Sequence, residues 1–83
     1  MASEAEVLDT IRSIARTELE LEQPVDPGDD LLADLGLDSL GLTVLAVGLE
    51  NRFRVRLSQE DAVDVRTVAD LARLVVRRAE ATA

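Results

Sequence analysis

Asp34-Leu35-Gly36-Leu37-Asp38-Ser39-Leu40-Gly41-Leu42 sets one aspartate and one serine into a run of leucines and glycines. Asp38 or Ser39 is suited to cap a helix, because either side chain can accept a hydrogen bond from a free N–H of the first turn. Behind them Leu42, Leu45, Ala46 and Leu49 recur at helical spacing and predict a second helix that ends near Glu50-Asn51-Arg52. Gly41 and Gly48 sit inside it, each costing about 1 kcal/mol relative to alanine, which suggests a close backbone approach by a neighbour. As a nucleophile Ser39 would need a base. The chain has no histidine, cysteine, tyrosine or lysine, and its nine basic residues are all arginines, which stay protonated. Chemistry at Ser39 is therefore expected to be done by another protein, and the chain is expected not to be an enzyme.

Upstream, Ser3-Glu4-Ala5-Glu6 reads as a capping box, and Val7, Ile11, Ile14 and Ala15 continue at helical spacing through about Leu19. Asp26-Pro27-Gly28-Asp29 predicts a type II turn, with Gly28 at the positive-φ position. The connection from Leu21 to Asp38 is thus a long loop, and Leu31, Leu32 and Leu35 are expected to lay it down on the helices. Downstream, Arg52-Phe53-Arg54-Val55-Arg56-Leu57 alternates in polarity and is read as an extended connector that buries Phe53, Val55 and Leu57. Ser58-Gln59-Glu60-Asp61 caps a very short helix carrying Ala62 and Val63. Thr67-Val68-Ala69-Asp70 opens a last helix that buries Val68, Leu71, Ala72 and Val75, with Arg77 and Arg78 near its end. The expected fold is all-α: a small four-helix bundle of three long helices and one short third helix, in a single domain spanning residues 1–83.

Composition narrows the function. The 83 residues are 47% hydrophobic with one phenylalanine as the only aromatic, so the core is aliphatic and thin, and stability of about 3–5 kcal/mol is expected. No apolar run approaches a membrane span and the N-terminus is acidic, so a cytoplasmic location is expected. A net charge of −8 argues against nucleic acid and anionic membrane as partners. The charge is uneven. Residues 1–50 hold twelve acids against Arg12 and Arg16, and residues 51–83 hold seven arginines against five acids. Asp26, Asp29 and Asp30 lack the ligand spacing of a calcium loop, and Asp34 with Asp38 has no partner to split the two pKa values, so no metal or acid–base site is read here.

Asp34-Leu-Gly-Leu-Asp-Ser-Leu40 resembles the modification motif of acyl carrier proteins, and the order of elements from Val7 to Val76 resembles that family throughout. The resemblance implies that Ser39 receives 4′-phosphopantetheine from coenzyme A and that the thiol of this arm carries acyl groups as thioesters. It implies a phosphopantetheinyl transferase as partner, with an acyltransferase, ketosynthase or acyl/aminoacyl ligase, and a monomeric carrier. Asp38, Leu40, Thr43, Val44, Val47 and Glu50 are its expected partner-recognition residues. Members serving bacterial fatty-acid synthesis usually carry a run of carboxylates along this helix. Here Gly41, Val44 and Asn51 take such positions, which leaves Asp38 and Glu50 as the matching acids and points to a discrete carrier of polyketide or hybrid polyketide–peptide synthesis. A fatty-acid carrier, an aminoacyl or peptidyl carrier, and an unmodified helical interaction module remain alternatives.

Overall fold

The computed structural model describes residues 2–82. Its helices are α1 (Glu4–Thr17), α2 (Ser39–Phe53), α3 (Gln59–Ala62) and α4 (Val68–Thr82). α1 begins where the Ser3 hydroxyl accepts from the Glu6 N–H, the serine half of the expected box, and it buries Val7, Ile11 and Ala15. α4 begins with a complete reciprocal box: Thr67 Oγ1 accepts from the Asp70 N–H and Asp70 Oδ2 accepts from the Thr67 N–H, each at 3.1 Å. Its expected face, Val68, Leu71, Ala72 and Val75, is buried. The helix continues to Thr82, so Arg77 and Arg78 precede its last turn and do not sit at the dipole's end.

The four-helix count is corrected. The bundle consists of three helices, α1 packing on both α4 and α2, while α2 meets α4 more lightly. α3 is a single turn of four residues held by a capping box between Ser58 and Asp61. One turn presents no apolar stripe to a bundle, and Val63 at its end is 82% exposed.

Other local expectations shift for local reasons. A hydrogen bond from the Asp29 N–H to the Asp26 carbonyl closes the predicted turn at 3.0 Å. Gly28 does not take a positive φ, so the turn is not type II; proline at the second position suits type I equally well. Leu31 and Leu35 are buried as expected, but Leu32 is 58% exposed. Arg52 and Phe53 belong to α2, which ends at an Arg54 C-cap in left-handed conformation (φ 56°, ψ 49°). The extended connector is therefore shorter than predicted, with Val55 buried and Leu57 partly so. Gly48 meets its close neighbour across the α1/α2 contact: a Cβ there would lie 2.6 Å from Ile14 Cδ1.

Candidate functional site

The turn before α2 explains how Ser39 comes to be exposed. Gly36 at φ 69° reverses the chain in a conformation that few L-residues adopt. The Leu37 N–H then donates to the Leu31 carbonyl at 3.1 Å, and the Leu37 side chain drops into the core. Asp38, the next residue, is the N-cap, its Oδ1 accepting from the Gly41 N–H at 2.8 Å. Ser39 is left as the first residue of the helix, exposed, with its carbonyl accepting from Thr43 Oγ1 at 2.8 Å.

Ser39 stands at the edge of a cleft of about 520 Å³ between α2 and α4, which of the three bundle helices are the pair with the least mutual contact. Leu42, Ala46 and Val47 line it from α2, Leu71 and Leu74 from α4, and Leu31 and Leu32 from the long loop. Thr43, Glu50 and Arg66 add polar groups. The loop wall is stapled to the start of α4. The Leu31 N–H donates to the Arg66 carbonyl, the Val68 N–H to Asp29 and the Ala69 N–H to Pro27, all at 2.8–2.9 Å. Asp30 tightens the same wall, its Oδ1 accepting from the Leu32 and Ala33 N–H groups and its Oδ2 facing Arg66 at 3.5 Å. The Ala33 and Leu32 N–H groups, with a smaller contribution from Arg66, hold its carboxyl below the ordinary value of 3.8.

Of the residues anticipated from sequence, Ser39, Thr43, Val47 and Glu50 share this cleft. Leu40 projects away from the body, 72% exposed, and Val44 is half-buried. Two carboxylates are committed internally: Asp38 to its cap, and Glu50 Oε2 to the Leu57 N–H at 2.8 Å. Sequence reasoning missed Leu32 and Arg66 as cleft walls. Their place depends on contacts between segments more than thirty residues apart, for which no local pattern exists.

Residues 9–75 match the family of the phosphopantetheine attachment site. The chain belongs to this family. Its members carry 4′-phosphopantetheine covalently and act as carriers, not catalysts. The chain is 38% identical over 76 residues to the acyl carrier protein of Kineococcus radiotolerans, covering 84% of this chain and 88% of that one. It is 36% identical over 64 residues to the acyl carrier protein of Chlamydia caviae, covering 76% and 83% respectively. The crystal structure of an acyl carrier protein from Thermotoga maritima superposes with a TM-score of 0.83 at 26% identity, covering 96% of this chain and 94% of that one. Phosphopantetheinyl transferases and acyl-handling enzymes are the family's partners. Among the described residues, no helix is long and apolar enough to cross a membrane, and no cluster of His, Cys, Asp or Glu has the form of a metal site.

The site fits the family's prosthetic group on its own chemistry. An exposed hydroxyl at a helix N-terminus is accessible to a modifying enzyme, and the N–H groups of the first turn favour the negative charge of a phosphodiester. The adjoining cleft is mostly aliphatic, as a chain of methylenes requires.

Proposed function

We propose that Ser39 is the attachment residue and that the chain carries acyl groups on the arm it receives there. The exposed position of Ser39, one residue after its cap and at the edge of the α2/α4 cleft, carries this reading. The arm supplies a thiol that bears the acyl group as a thioester. The protein contributes the rest. Asp38 fixes the first turn of α2, so that the hydroxyl is presented in one geometry. Leu31, Leu42, Ala46 and Leu71 offer an apolar wall along which a short acyl chain can lie, and Leu40 offers an apolar contact to enzymes that approach Ser39. Thr43, Val44, Val47 and Glu50, on or beside the same helix face, complete the proposed recognition surface.

Intact-protein mass after incubation with coenzyme A and a broad-specificity phosphopantetheinyl transferase tests the attachment. One arm on the parent and none on Ser39→Ala is the expected result. An unmodified parent that is folded would refute it and leave the helical interaction module in its place.

The pathway we propose is polyketide or hybrid polyketide–peptide synthesis. Support comes from α2, whose first turn holds no acid and whose outward residues include Leu40 and Val47. Such a face gains more from apolar burial than from electrostatic steering. Addition of the modified protein to a reconstituted bacterial fatty-acid elongation system discriminates the pathways. Failure to support chain growth is expected, and saturated products at the rate of that system's own carrier would assign the protein to fatty-acid synthesis instead.

A further inference from the structure

The attachment site uses one end of α2, and three arginines occupy the other. Arg52 lies in the last turn of α2, Arg54 is its C-cap and Arg56 follows in the connector; all three are exposed. With a rise of about 1.5 Å per residue, the fifteen steps from Ser39 to Arg54 put this cluster about 22 Å from the attachment end.

The backbone beneath the cluster is pinned. The Glu50 carbonyl accepts from both the Arg54 and the Val55 N–H groups, and Glu50 Oε2 takes the Leu57 N–H. Val55 is buried and Leu57 partly so, which leaves the alternate residues Arg54 and Arg56 facing outward. The Arg52 guanidinium lies 5.5 Å from the centroid of the Phe53 ring, which limits its wandering. Beside these arginines is an open hollow of about 410 Å³ lined by Glu50, Asn51, Arg54, Val55 and Arg56.

Two observations single the cluster out. The chain has 17 carboxylates, and Arg12, Arg66, Arg73 and Arg78 each take at least one of them. Among the described residues, Arg16, Arg52, Arg54, Arg56 and Arg77 show no such pair; three of these five stand together at this end of α2, and Glu50 beside them is engaged with the connector backbone. Secondly, Arg54 holds a left-handed conformation (φ 56°) at a helix end, where glycine sits without a steric penalty.

We propose that Arg52, Arg54 and Arg56 form a second docking surface, distinct from the attachment end of α2, for an acidic segment of a partner protein. Each guanidinium offers a planar fork of donors that matches a carboxylate. The net charge of −8 selects a short acidic segment over a long polyanion. At physiological salt a segment seated on the cluster responds only to charges within about 8 Å, whereas a nucleic acid or anionic bilayer also meets the acidic first half of the chain.

The test is a titration of the isotope-labelled protein with a short glutamate-rich peptide, followed by amide chemical shifts at physiological salt. Ser39→Ala is titrated beside the phosphopantetheinylated protein, so that the result is independent of modification. Saturable shifts centred on residues 50–57 are expected in both. Charge reversal at two positions, Arg54→Glu with Arg56→Glu, should weaken binding about tenfold, as loss of two exposed charge pairs implies. Arg54→Lys with Arg56→Lys should keep an intermediate affinity. Thermal unfolding of each variant confirms that it is folded. Shifts spread evenly over all nine arginines, unchanged binding after charge reversal, or equal binding of a short single-stranded oligonucleotide would each overturn the proposal.

Discussion

Arg54→Gly should stabilise the protein even though it removes a large side chain. The left-handed conformation costs an L-residue about 1–2 kcal/mol, and glycine escapes that cost. Glycine's greater freedom in the unfolded chain returns about 0.4–1 kcal/mol of the gain. The hydrogen bond from residue 54 to the Glu50 carbonyl is a backbone bond and survives the substitution. A net gain of about 0.5–1 kcal/mol follows, and for a domain of this size it raises the midpoint by about 2–8 °C. Arg54→Ala is the control: it removes the same guanidinium but keeps the strain, so it should lie within about 0.5 kcal/mol of the parent. Far-UV circular dichroism on heating is the suitable assay, since the chain has no tryptophan or tyrosine to report by fluorescence. A glycine variant no more stable than the alanine variant would refute the reasoning, because it would mean that the conformation of residue 54 carries no cost.

Asp38→Ala removes the cap of α2 and leaves the buried Gly41 N–H without its acceptor, so urea denaturation should show a loss of about 1 kcal/mol. Asp38→Asn, which keeps an oxygen in place, should lose less. Gly48→Val forces a branched side chain against Ile14 and should cost about 1–3 kcal/mol; adding Ile14→Ala should recover part of it, and a strictly additive double mutant would rule out the clash. Asp30, Asp61 and Asp70 are each held below 3.8, chiefly by backbone N–H groups of Ala33, Ser58 and Thr67 respectively. Because these pKa values are depressed in the folded state, their stabilisation is complete above 3.8 and is lost as pH falls through the lower folded values. Urea midpoints should therefore drop below that pH, and replacing all three aspartates by asparagine should flatten the fall.

What the sequence disclosed was local. Ser3, Ser58 and the Thr67/Asp70 pair cap helices through neighbours three residues away, and the leucines and valines of α1 and α4 repeat with the helical period, so both signals stand in the sequence itself. The end of α2 is not legible in the sequence, because its left-handed cap is an arginine and not a glycine, and because alternation over 52–57 imitates an extended strand. By composition Leu32 reads as a core residue, yet Leu31 and Leu35 are the loop leucines that are buried, and Leu32 stands on the rim of the cleft. Ser39 is visible through its motif. The walls and width of the cleft beside it are not, since they are set by how far α2 stands from α4, and no run of residues encodes that distance.

The staple between the long loop and the start of α4 makes the two walls of the cleft mechanically unequal. Leu31, Val68 and Ala69 donate across that seam, and Asp30 reaches toward Arg66, so the loop and the first turn of α4 are tied into one wall. α2 meets α4 only lightly, and Gly48 lets it slide close over Ile14 of α1. Of the two walls α2 is the more lightly held, and it is the wall that carries Ser39 as its first residue.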